Sequence, residues 1–336
     1  MHTLLAPLDW GLGHAARSLA LARRLTAAGD RISWASSGPA AAMLRRELPP
    51  GTVVHELPPY RVHYRSRSMH WNVARQFWHW QHTIRAEHRA TRELVDHLGI
   101  DRIVSDSRFG CYDRRVESIL LTHQLHPVTN FPPASAAYRW HLRRCFDAYW
   151  VPDHPAHDRL SGKLSDPTGY REVSFIGPLP HLKEVPGEDP YELLALLSGP
   201  EPMRTRLEDI LLPQLGPLPL GVRLVRGLPV PEEAPPLGDT HTPTLPYADT
   251  YLLSRLLTAA RYVIARPGYS TLMDLRALGK RAILIPTPGQ TEQVYLAQRA
   301  QLQGWAVAVM EQDQLDLPAA LSKLRQTEAI TPSGRP

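Results

Sequence analysis

Two successive alternations of strand and helix signals in residues 262–298 constrain the fold of this 336-residue chain more than any other feature. Residues 262–265 form a short apolar run of the kind found in buried parallel strands, and residues 266–268 break it with a proline and a glycine. A helical pattern follows and ends at Gly279. Residues 282–285 form the next apolar run, a Pro/Gly loop stops it, and a polar segment opens another helix. This pattern predicts an α/β fold with a parallel sheet.

Both helices of this stretch begin where a strand ends, so their N-termini are expected at one edge of the sheet. Ligands bind α/β folds at that edge, beside the carboxyl ends of the strands, and helix N-termini there favour phosphates. We expect Ser270 or Thr271 to cap the first helix. Asp274 lies one turn further on, where its carboxylate can bind a pair of sugar hydroxyls. The alternative is a Rossmann-like unit with ordinary turn residues and no ligand.

The strings RPGYSTLMD, from residue 266, and PTPGQTEQ, from residue 286, resemble the donor-binding half of the family 28 glycosyltransferases, the family of MurG and the plant galactolipid synthases. With LDWGLGH and LSGPEP, they also resemble a set of uncharacterised bacterial glycosyltransferase-like proteins. The resemblance covers most of the chain and is dense in these strings. It implies the GT-B fold, in which two Rossmann-like α/β domains have a cleft between them. We expect an acceptor-binding domain over residues 1–178 and a nucleotide-sugar-binding domain over residues 179–330.

The resemblance also implies roles for residues of the C-terminal domain. In the family, an acidic residue six positions after the turn glycine holds the ribose hydroxyls, and Asp274 stands at that position. A glutamine-rich helix start holds the donor hexose, and an arginine near a strand end stabilises the leaving diphosphate. The donor-binding residues that we expect are Ser198, Gly199, Arg226, Arg266, Gly268, Tyr269, Ser270, Thr271, Asp274, Gln290, Thr291, Glu292 and Gln293.

The N-terminal half has its own alternation of strands and helices. Apolar runs predict strands at residues 2–7, 32–35, 102–105, 119–122 and 148–151, and a helix over residues 15–28 that Gly29 ends. The turn after the first strand, GLGHAA from residue 11, matches the dinucleotide fingerprint G-x-G-x-x-A. That fingerprint needs an acidic residue after the second strand, which here ends in Ser36 and Ser37. An NADP enzyme, whose 2′-phosphate these serines would bind, is therefore an alternative.

The resemblance gives this turn another meaning, because small residues followed by a histidine form the acceptor side of family 28. It implies that His14 is a general base acting on an acceptor hydroxyl; the alternative is a histidine that only caps the helix. Asp106 directly follows the strand at residues 102–105, so it is a second candidate base or the cap of the next turn. Gln124 stands where the family has a glutamate, so we assign it to binding. The acceptor-binding residues that we expect are Gly11, Gly13, His123 and Gln124.

Residues 60–92 hold seven arginines against a single acid, Glu87. Basic residues mixed with interfacial aromatics suit an anionic membrane surface, and in the family a comparable patch lies near a lipid-linked acceptor. The same chemistry would serve nucleic-acid stacking, but no nucleic-acid-binding motif supports it, so we expect no nucleic acid. The alternative is an amphipathic helix with its aromatics inside and its arginines solvated. The aromatic residues are Trp71, Phe77, Trp78 and Trp80.

Composition is consistent with an enzyme of this class. The length predicts two domains, and Cys111 and Cys145 give neither a disulfide framework nor a metal spacing, which favours a reducing compartment. We find no signal peptide and no run of 18 apolar residues, so we expect a cytoplasmic protein with peripheral contact at the inner face of the cell envelope's membrane. The sequence has no Asp-x-Asp metal clamp. We therefore expect no metal and no cofactor besides the UDP-sugar as co-substrate.

These observations predict a hexosyltransferase. It would move N-acetylglucosamine or a similar hexose from a UDP-sugar to a hydroxyl of a lipid-linked or glycan acceptor, with inversion and without a metal. A non-hydrolysing UDP-sugar 2-epimerase, an NADP-dependent oxidoreductase and a non-catalytic sugar-nucleotide sensor are the alternatives. An intact acid or base in the cleft favours the enzymes.

Overall fold

In the computed structural model the chain forms two compact units, Met1–His181 and Leu182–Pro336. The structure describes residues 1–60, 69–128, 132–156, 158–187, 189–218, 221–228 and 242–330, with side chains for all of these except residues 69–80, 132–134 and 328–330. Each unit is built on one sheet of parallel strands.

Unit 1 alternates strands and helices along most of its length. Its strands are β1 (His2–Pro7), β2 (Arg31–Ser36), β3 (Val54–Glu56), β4 (Arg102–Asp106), β5 (Glu117–Leu121), β6 (Ala148–Val151) and β7 (Val173–Phe175). Its α-helices are α1 (Gly13–Ala27), α2 (Gly38–Glu47), α3 (Met69–Leu98) and α4 (Pro132–Cys145), and a short 3-10 helix spans Gly162–Ser165.

Unit 2 repeats the alternation. Its strands are β8 (Tyr191–Leu196), β9 (Val222–Val225), β10 (Thr244–Leu245), β11 (Ala260–Ala265), β12 (Arg281–Leu284) and β13 (Ala306–Ala308). Its α-helices are α5 (Met203–Leu215), α6 (Thr250–Ala259), α7 (Tyr269–Ala277), α8 (Thr291–Leu302) and α9 (Leu317–Ile330), and a 3-10 helix spans Gln312–Gln314.

The two sheets share one topology. The strand order is β3-β2-β1-β4-β5-β6-β7 in unit 1 and β10-β9-β8-β11-β12-β13 in unit 2. In both, the chain winds first to one side of its first strand and then to the other. The switch points therefore lie between β1 and β4 and between β8 and β11, and the loops after these strands flank the position where such folds bind ligands. The predicted α/β class with two Rossmann-like sheets is confirmed.

The central strands have apolar sequences because hydrophobic cores cover both faces of each sheet. All six residues of β1 are buried, because side chains on both faces of the sheet meet apolar partners. Leu5 packs in a cluster with Leu19 of α1 and Leu44 of α2, whereas Leu4 packs in a cluster with Val95 of α3. Full burial of one such side chain contributes about 1.5–3 kcal/mol. The core of unit 2 is likewise formed by strand residues that pack against leucines of α5 and α9.

Element boundaries agree with the sequence patterns in most places. Gly29 and Gly279 end their helices with φ of +92° and +62°, where a side chain would be strained. The predicted cap of α7 is wrong: the N-cap is Gly268, and Ser270 and Thr271 lie inside the first turn. Strand β9 begins at Val222, directly after Gly221.

Candidate active site

His14 and Asp106 meet at the switch point of unit 1. Asp106 is the last residue of β4 and pairs in register with Pro7 at the end of β1, while His14 is the second residue of α1. His14 Nδ1 lies 2.8 Å from Asp106 Oδ1. The Asp106 side chain is 1% exposed and the His14 side chain is 19% exposed, so the imidazole extends from a buried carboxylate toward solvent. The two predicted candidate bases therefore form one hydrogen-bonded pair.

Arg17 completes a buried ionic cluster around Asp106. Its guanidinium donates to both carboxylate oxygens, from Nε to Oδ2 at 2.7 Å and from Nη2 to Oδ1. Ser18 Oγ donates to Oδ2 at 3.1 Å, and Arg17 Nη1 lies 3.2 Å from Nδ1 of His123. Burial alone would raise the pKa of Asp106, but the charges of Arg17 and His14 and their hydrogen bonds outweigh it and hold that pKa well below its usual range. Asp106 is thus a stable anion and a poor proton acceptor near neutral pH.

His14 has the opposite character. Burial lowers its pKa; Asp106 partly offsets this effect and Arg17 reinforces it, so the imidazole is neutral at pH 7. Nδ1 lies close to both the Asp106 carboxylate and Arg17 Nη2. We place the imidazole proton on Nδ1, because donation to an anionic carboxylate is the stronger interaction and Arg17 already donates to both carboxylate oxygens. Nε2 then carries the lone pair and can accept a proton.

A second buried ion pair holds the loops around this cluster. Arg108 and Glu87 are fully buried, and Arg108 Nε donates to Glu87 Oε1 at 2.5 Å. The same guanidinium donates to Pro7 O, Ser37 Oγ and Pro58 O, which lie at or just after the ends of β1, β2 and β3. Arg108 therefore connects three strand ends to the segment that carries Asp106.

The serines after β2 do not form a 2′-phosphate site. Ser36 Oγ donates to Pro7 O at 2.8 Å, and Ser37 Oγ donates to Asp9 Oδ2 at 2.8 Å; both serines are buried. A phosphate at this position would meet the carboxylate of Asp9. The geometry gives no support to the NADP alternative.

The predicted acceptor residues follow β1 and β5, the two strands that flank β4 in the sheet. Gly11 has φ of +80°, and no atom lies within 4 Å of a Cβ placed there, so the turn has open space beside it. Gly13 is the first residue of α1, whose N-terminus has no side-chain cap. His123 and Gln124 follow β5; the backbone of Gln124 bonds Thr122 Oγ1 and the hydroxyl of Tyr138.

The predicted donor residues of unit 2 follow four adjacent strands. Ser198 and Gly199 come after β8, Arg226 after β9, residues 266–274 after β11 and residues 290–293 at the start of α8 after β12. Because the strands are parallel, all of these lie at the carboxyl edge of the sheet. A Cβ on Gly199, which has φ of +107°, would lie 3.6 Å from Thr287 Oγ1. The β8 and β12 exits are therefore in contact.

Arg226 is bound within the protein. Its Nε and Nη2 donate to the two carboxylate oxygens of Glu208, at 2.5 and 3.1 Å, and Arg204 Nη1 donates to the same carboxylate at 3.1 Å. All three side chains are buried. This corrects the expectation that Arg226 meets the donor diphosphate, because a phosphate would have to compete with a buried carboxylate.

Arg266 and two neighbours present unpaired polar atoms. The Arg266 guanidinium donates to three backbone carbonyls and to Gln312 Oε1, at 2.7–3.0 Å. Within the described chain, Arg266 Nε, Thr287 Oγ1 and Gln312 Nε2 are buried without a hydrogen-bond partner. Burial lowers the pKa of Arg266 to about 10, which leaves it charged at neutral pH. A ligand that carries acceptor oxygens, such as a phosphate, would suit these groups.

The start of α7 brings Asp274 to this edge but turns Tyr269 inward. Asp274 is largely buried and its Oδ1 accepts from the backbone N–H of Leu182 at 3.1 Å. The Tyr269 side chain is 3% exposed and packs in the interior, so a donor would contact its backbone. Gly268, Ser270 and Thr271 are partly exposed in the cap and first turn.

The start of α8 has one inward and three outward residues. Gln290 is the N-cap, and Gln293 Oε1 accepts from the backbone N–H of Thr287 at 2.7 Å, which braces the loop after β12. Glu292 lies in the first turn, where the helix dipole favours an acid, and Thr291 is exposed. Gln290 and Glu292 are partly exposed.

The predicted membrane segment is only partly described. Residues 61–68, and the side chains of Arg75, Trp71, Phe77, Trp78 and Trp80, lie outside the described part of the chain. In the rest of α3, Glu87 faces the interior, where Arg108 neutralises it, so this acid does not offset the exposed arginines. The exposed arginines are Arg85, Arg89 and Arg92, and the buried residues on the opposite face are Thr83, Glu87, Thr91 and Val95.

Sequence reasoning missed several residues that build these sites. Arg17 was not a candidate, although its position three residues after His14 places both on one helix face. Thr287 lies within the PTPGQTEQ string, where nothing marks its side chain as a site residue. Glu208 and Gln312 carry no local signal, because their roles depend on the sheet bringing distant segments together.

Two absences concern the described residues alone. Among them, no group of three His, Cys, Asp or Glu side chains is arranged to hold a metal ion. None of the helices in the same part of the chain is both long and apolar enough to cross a membrane.

Comparison with known proteins identifies relatives of this architecture. Residues 237–331 match the model of the family 28 glycosyltransferase C-terminal domain. No curated protein matches the sequence. Among solved structures, the calicheamicin glycosyltransferase CalG4 aligns with a TM-score of 0.64 at 17% identity, over 99% of this chain and 91% of that chain.

Two further structures align over nearly the whole chain. The spinosyn rhamnosyltransferase SpnG, solved with thymidine diphosphate, has a TM-score of 0.64 at 15% identity, over 97% of this chain and 92% of its own. MurG from Acinetobacter baumannii has a TM-score of 0.56 at 15% identity, over 98% of this chain and 90% of its own. At these identities the likeness concerns the fold.

Proposed function

Because residues 237–331 match the family 28 glycosyltransferase C-terminal domain and the chain has the fold of GT-B glycosyltransferases, we propose that it transfers a hexose, N-acetylglucosamine or a similar sugar, from a UDP-sugar to an acceptor hydroxyl with inversion. Unit 2 binds the donor and unit 1 binds the acceptor. The observation that carries the proposal is the His14–Asp106 hydrogen bond of 2.8 Å at the switch point of unit 1.

In the proposed reaction His14 is the general base. The acceptor oxygen attacks C1 of the sugar as its proton moves to His14 Nε2, and the bond from C1 to the phosphate oxygen breaks. Asp106 keeps the proton on Nδ1 and stabilises the imidazolium that forms, as a carboxylate does for histidine in other enzymes. Direct attack from the side opposite the leaving group inverts the anomeric centre. UDP leaves with the bonding electron pair.

The leaving diphosphate is proposed to meet the carboxyl edge of unit 2. The unpaired atoms of Arg266, Thr287 and Gln312 and the N-termini of α7 and α8 supply donors and positive charge there. These donors and this positive charge can stabilise the leaving diphosphate. Together with the lack of an Asp-x-Asp motif in the sequence, they support catalysis without an obligatory metal.

Asp274 supports a ribonucleotide such as UDP over thymidine diphosphate. Thymidine diphosphate, found with the neighbour SpnG, carries a 2′-deoxyribose, whereas UDP offers two ribose hydroxyls to a carboxylate. We therefore propose UDP-sugars as donors. A thermal-shift screen with UDP, UDP-N-acetylglucosamine, thymidine diphosphate and NADP tests this, because a ligand at 100 times its Kd stabilises a protein by about 2.7 kcal/mol. Stabilisation by NADP but not by UDP would overturn the proposal.

We also propose a lipid-linked or glycan acceptor and peripheral contact with an anionic membrane from the cytoplasmic side. The exposed arginines of α3 support the membrane contact. Cys111 and Cys145 are buried and unbridged, which supports a reducing compartment.

The variant His14→Ala tests the chemistry. UDP affinity should be unchanged, and the free energy of unfolding should fall by no more than about 1.5–3 kcal/mol, because one hydrogen bond to the Asp106 carboxylate is lost while Arg17 and Ser18 still donate to it. Acceptor-dependent UDP release should fall by about 10²-fold or more, the contribution of a general base. His154→Ala, which truncates an exposed histidine of the same unit, is the control. Near-full turnover in His14→Ala would reduce His14 to a helix cap.

A further inference from the structure

Trp10 is exposed beside the proposed base. It lies in the loop between β1 and α1, four residues before His14, and its side chain is 37% exposed. The adjacent Gly11 leaves open space on this side of the loop. Ligand sites commonly combine aromatic side chains with a few well-placed polar groups. A large exposed aromatic at the ligand-binding edge of the sheet is therefore a candidate ligand contact.

The Trp10 ring has a rigid support. It packs edge-to-face on Tyr60, with ring centroids 6.4 Å apart. The Tyr60 hydroxyl donates to Glu87 Oε2 at 2.7 Å and accepts from the backbone N–H of Phe109 at 3.1 Å. Tyr60 is therefore fixed by the same ion-pair system that orders the strand ends, and it holds Trp10 in place.

A carboxylate adjoins this aromatic. Asp9 Oδ2 accepts from Ser37 Oγ at 2.8 Å and from the backbone N–H of Tyr60 at 3.3 Å. Asp9 Oδ1 has no hydrogen-bond partner in the described chain. A buried carboxylate oxygen without a donor is costly, and a hydroxyl from a ligand would remove that cost once it reaches the oxygen.

We infer that Trp10 and Asp9 form the acceptor subsite, and that the acceptor presents a pyranose ring there. The inference rests on the proposed function and specifies its acceptor. The C–H face of a sugar ring stacks on indole, and its hydroxyls donate to a carboxylate, so one ligand uses both groups. A lipid phosphate would be repelled by Asp9, and a flat aromatic acceptor would leave Asp9 unused.

Saturation-transfer NMR with defined probes tests the subsite. The probes are the methyl pyranosides of glucose, galactose, mannose and N-acetylglucosamine, measured with and without UDP. Wild-type protein should saturate the ring protons of at least one probe, and Trp10→Ala should weaken that probe's affinity by about tenfold or more, because the exposed face of a rigid anchor is lost. Trp140→Ala is the matched control, since Trp140 is 64% exposed on α4 of the same unit.

A second variant tests the carboxylate separately. Asp9→Asn keeps an oxygen for Ser37 and Tyr60 but places an amide donor where the unpaired oxygen stands. It should weaken the same probe about tenfold while UDP affinity stays unchanged. Pyranoside binding that survives both substitutions, or binding by p-nitrophenol and by none of the pyranosides, overturns the inference. If UDP binds and no pyranoside does, the inference fails alone; if UDP does not bind, the proposed function fails.

Discussion

The two sheets of this protein have the same strand order up to the sixth strand, yet their switch points carry different chemistry. In unit 1 the groups around the proposed base are paired with one another: Asp106 is satisfied by Arg17, Ser18 and His14, although Asp9 Oδ1 in the preceding loop is unpaired. In unit 2 the corresponding edge has a buried arginine with an unpaired Nε, beside other unpaired polar atoms. A shared topology therefore fixes where a site lies, and the side chains decide what it does.

The difference matches a division of labour in sugar transfer. A general base needs a defined tautomer and must be unprotonated at the working pH, and an internal partner such as Asp106 fixes the tautomer. A leaving diphosphate brings its own acceptor oxygens, so its site must keep donors unpaired until the ligand arrives. Each prediction below asks whether one of the two edges behaves as this comparison requires.

The largest effect is expected for Asp106→Asn. The substitution keeps the shape but leaves the buried Arg17 guanidinium without its anion, so the free energy of unfolding should fall by about 3–5 kcal/mol. Urea denaturation measures it. Asp96→Asn removes an exposed partner of Arg115 and is the control, with an expected loss below about 1 kcal/mol. Equal losses in the two variants would show that the unit 1 cluster is not a buried ionic site.

The same variant has a defined pH signature. The folded-state pKa of Asp106 is depressed, so its stabilisation is present above the ordinary carboxyl pKa and is lost as the pH falls through the folded value. Asp106→Asn should therefore flatten the acid side of the stability profile. Because Asp106 also raises the pKa of His14, its loss should move the acid limb of the turnover profile to lower pH. A shift to higher pH would contradict the assigned pairing.

A smaller effect is expected at the unit 2 edge from Asp274→Asn. The amide oxygen can still accept from Leu182, but the charge that would bind ribose hydroxyls is lost, so UDP affinity should fall by about 1.5–3 kcal/mol, or tenfold and more. Calorimetry measures it, and Asp209→Asn on the exposed face of α5 is the control. Unchanged affinity would remove Asp274 from the donor site.

The sequence predicted the ligand-binding edge of the unit 2 sheet more completely than that of the unit 1 sheet. Apolar runs and glycines located the strands, and the strings at residues 266 and 286 located the unit 2 edge, because its site residues are close in sequence. In unit 1, His14 and Asp106 were found as separate candidates, since only the register of β1 with β4 brings residues 92 positions apart into one hydrogen bond. Arg226 was misplaced for a related reason: a sequence pattern gives a residue's position, whereas the buried Glu208 partner decides the role of its side chain.

The smallest effect concerns the surface of unit 1, where Arg89→Gln asks whether α3 meets a membrane. Arginine near an anionic surface contributes about 1 kcal/mol, so co-sedimentation with phosphatidylglycerol vesicles at low salt should weaken roughly fivefold. Arg206→Gln makes the same charge change on the exposed face of α5 in unit 2 and should have no effect if the acceptor's unit alone faces the lipid. Binding should also weaken at high salt, because screening shortens the reach of surface charges. Equal losses of vesicle binding in the two variants would show that binding depends on net charge and not on α3. If the wild-type protein does not bind vesicles at low salt, the proposed membrane contact is wrong.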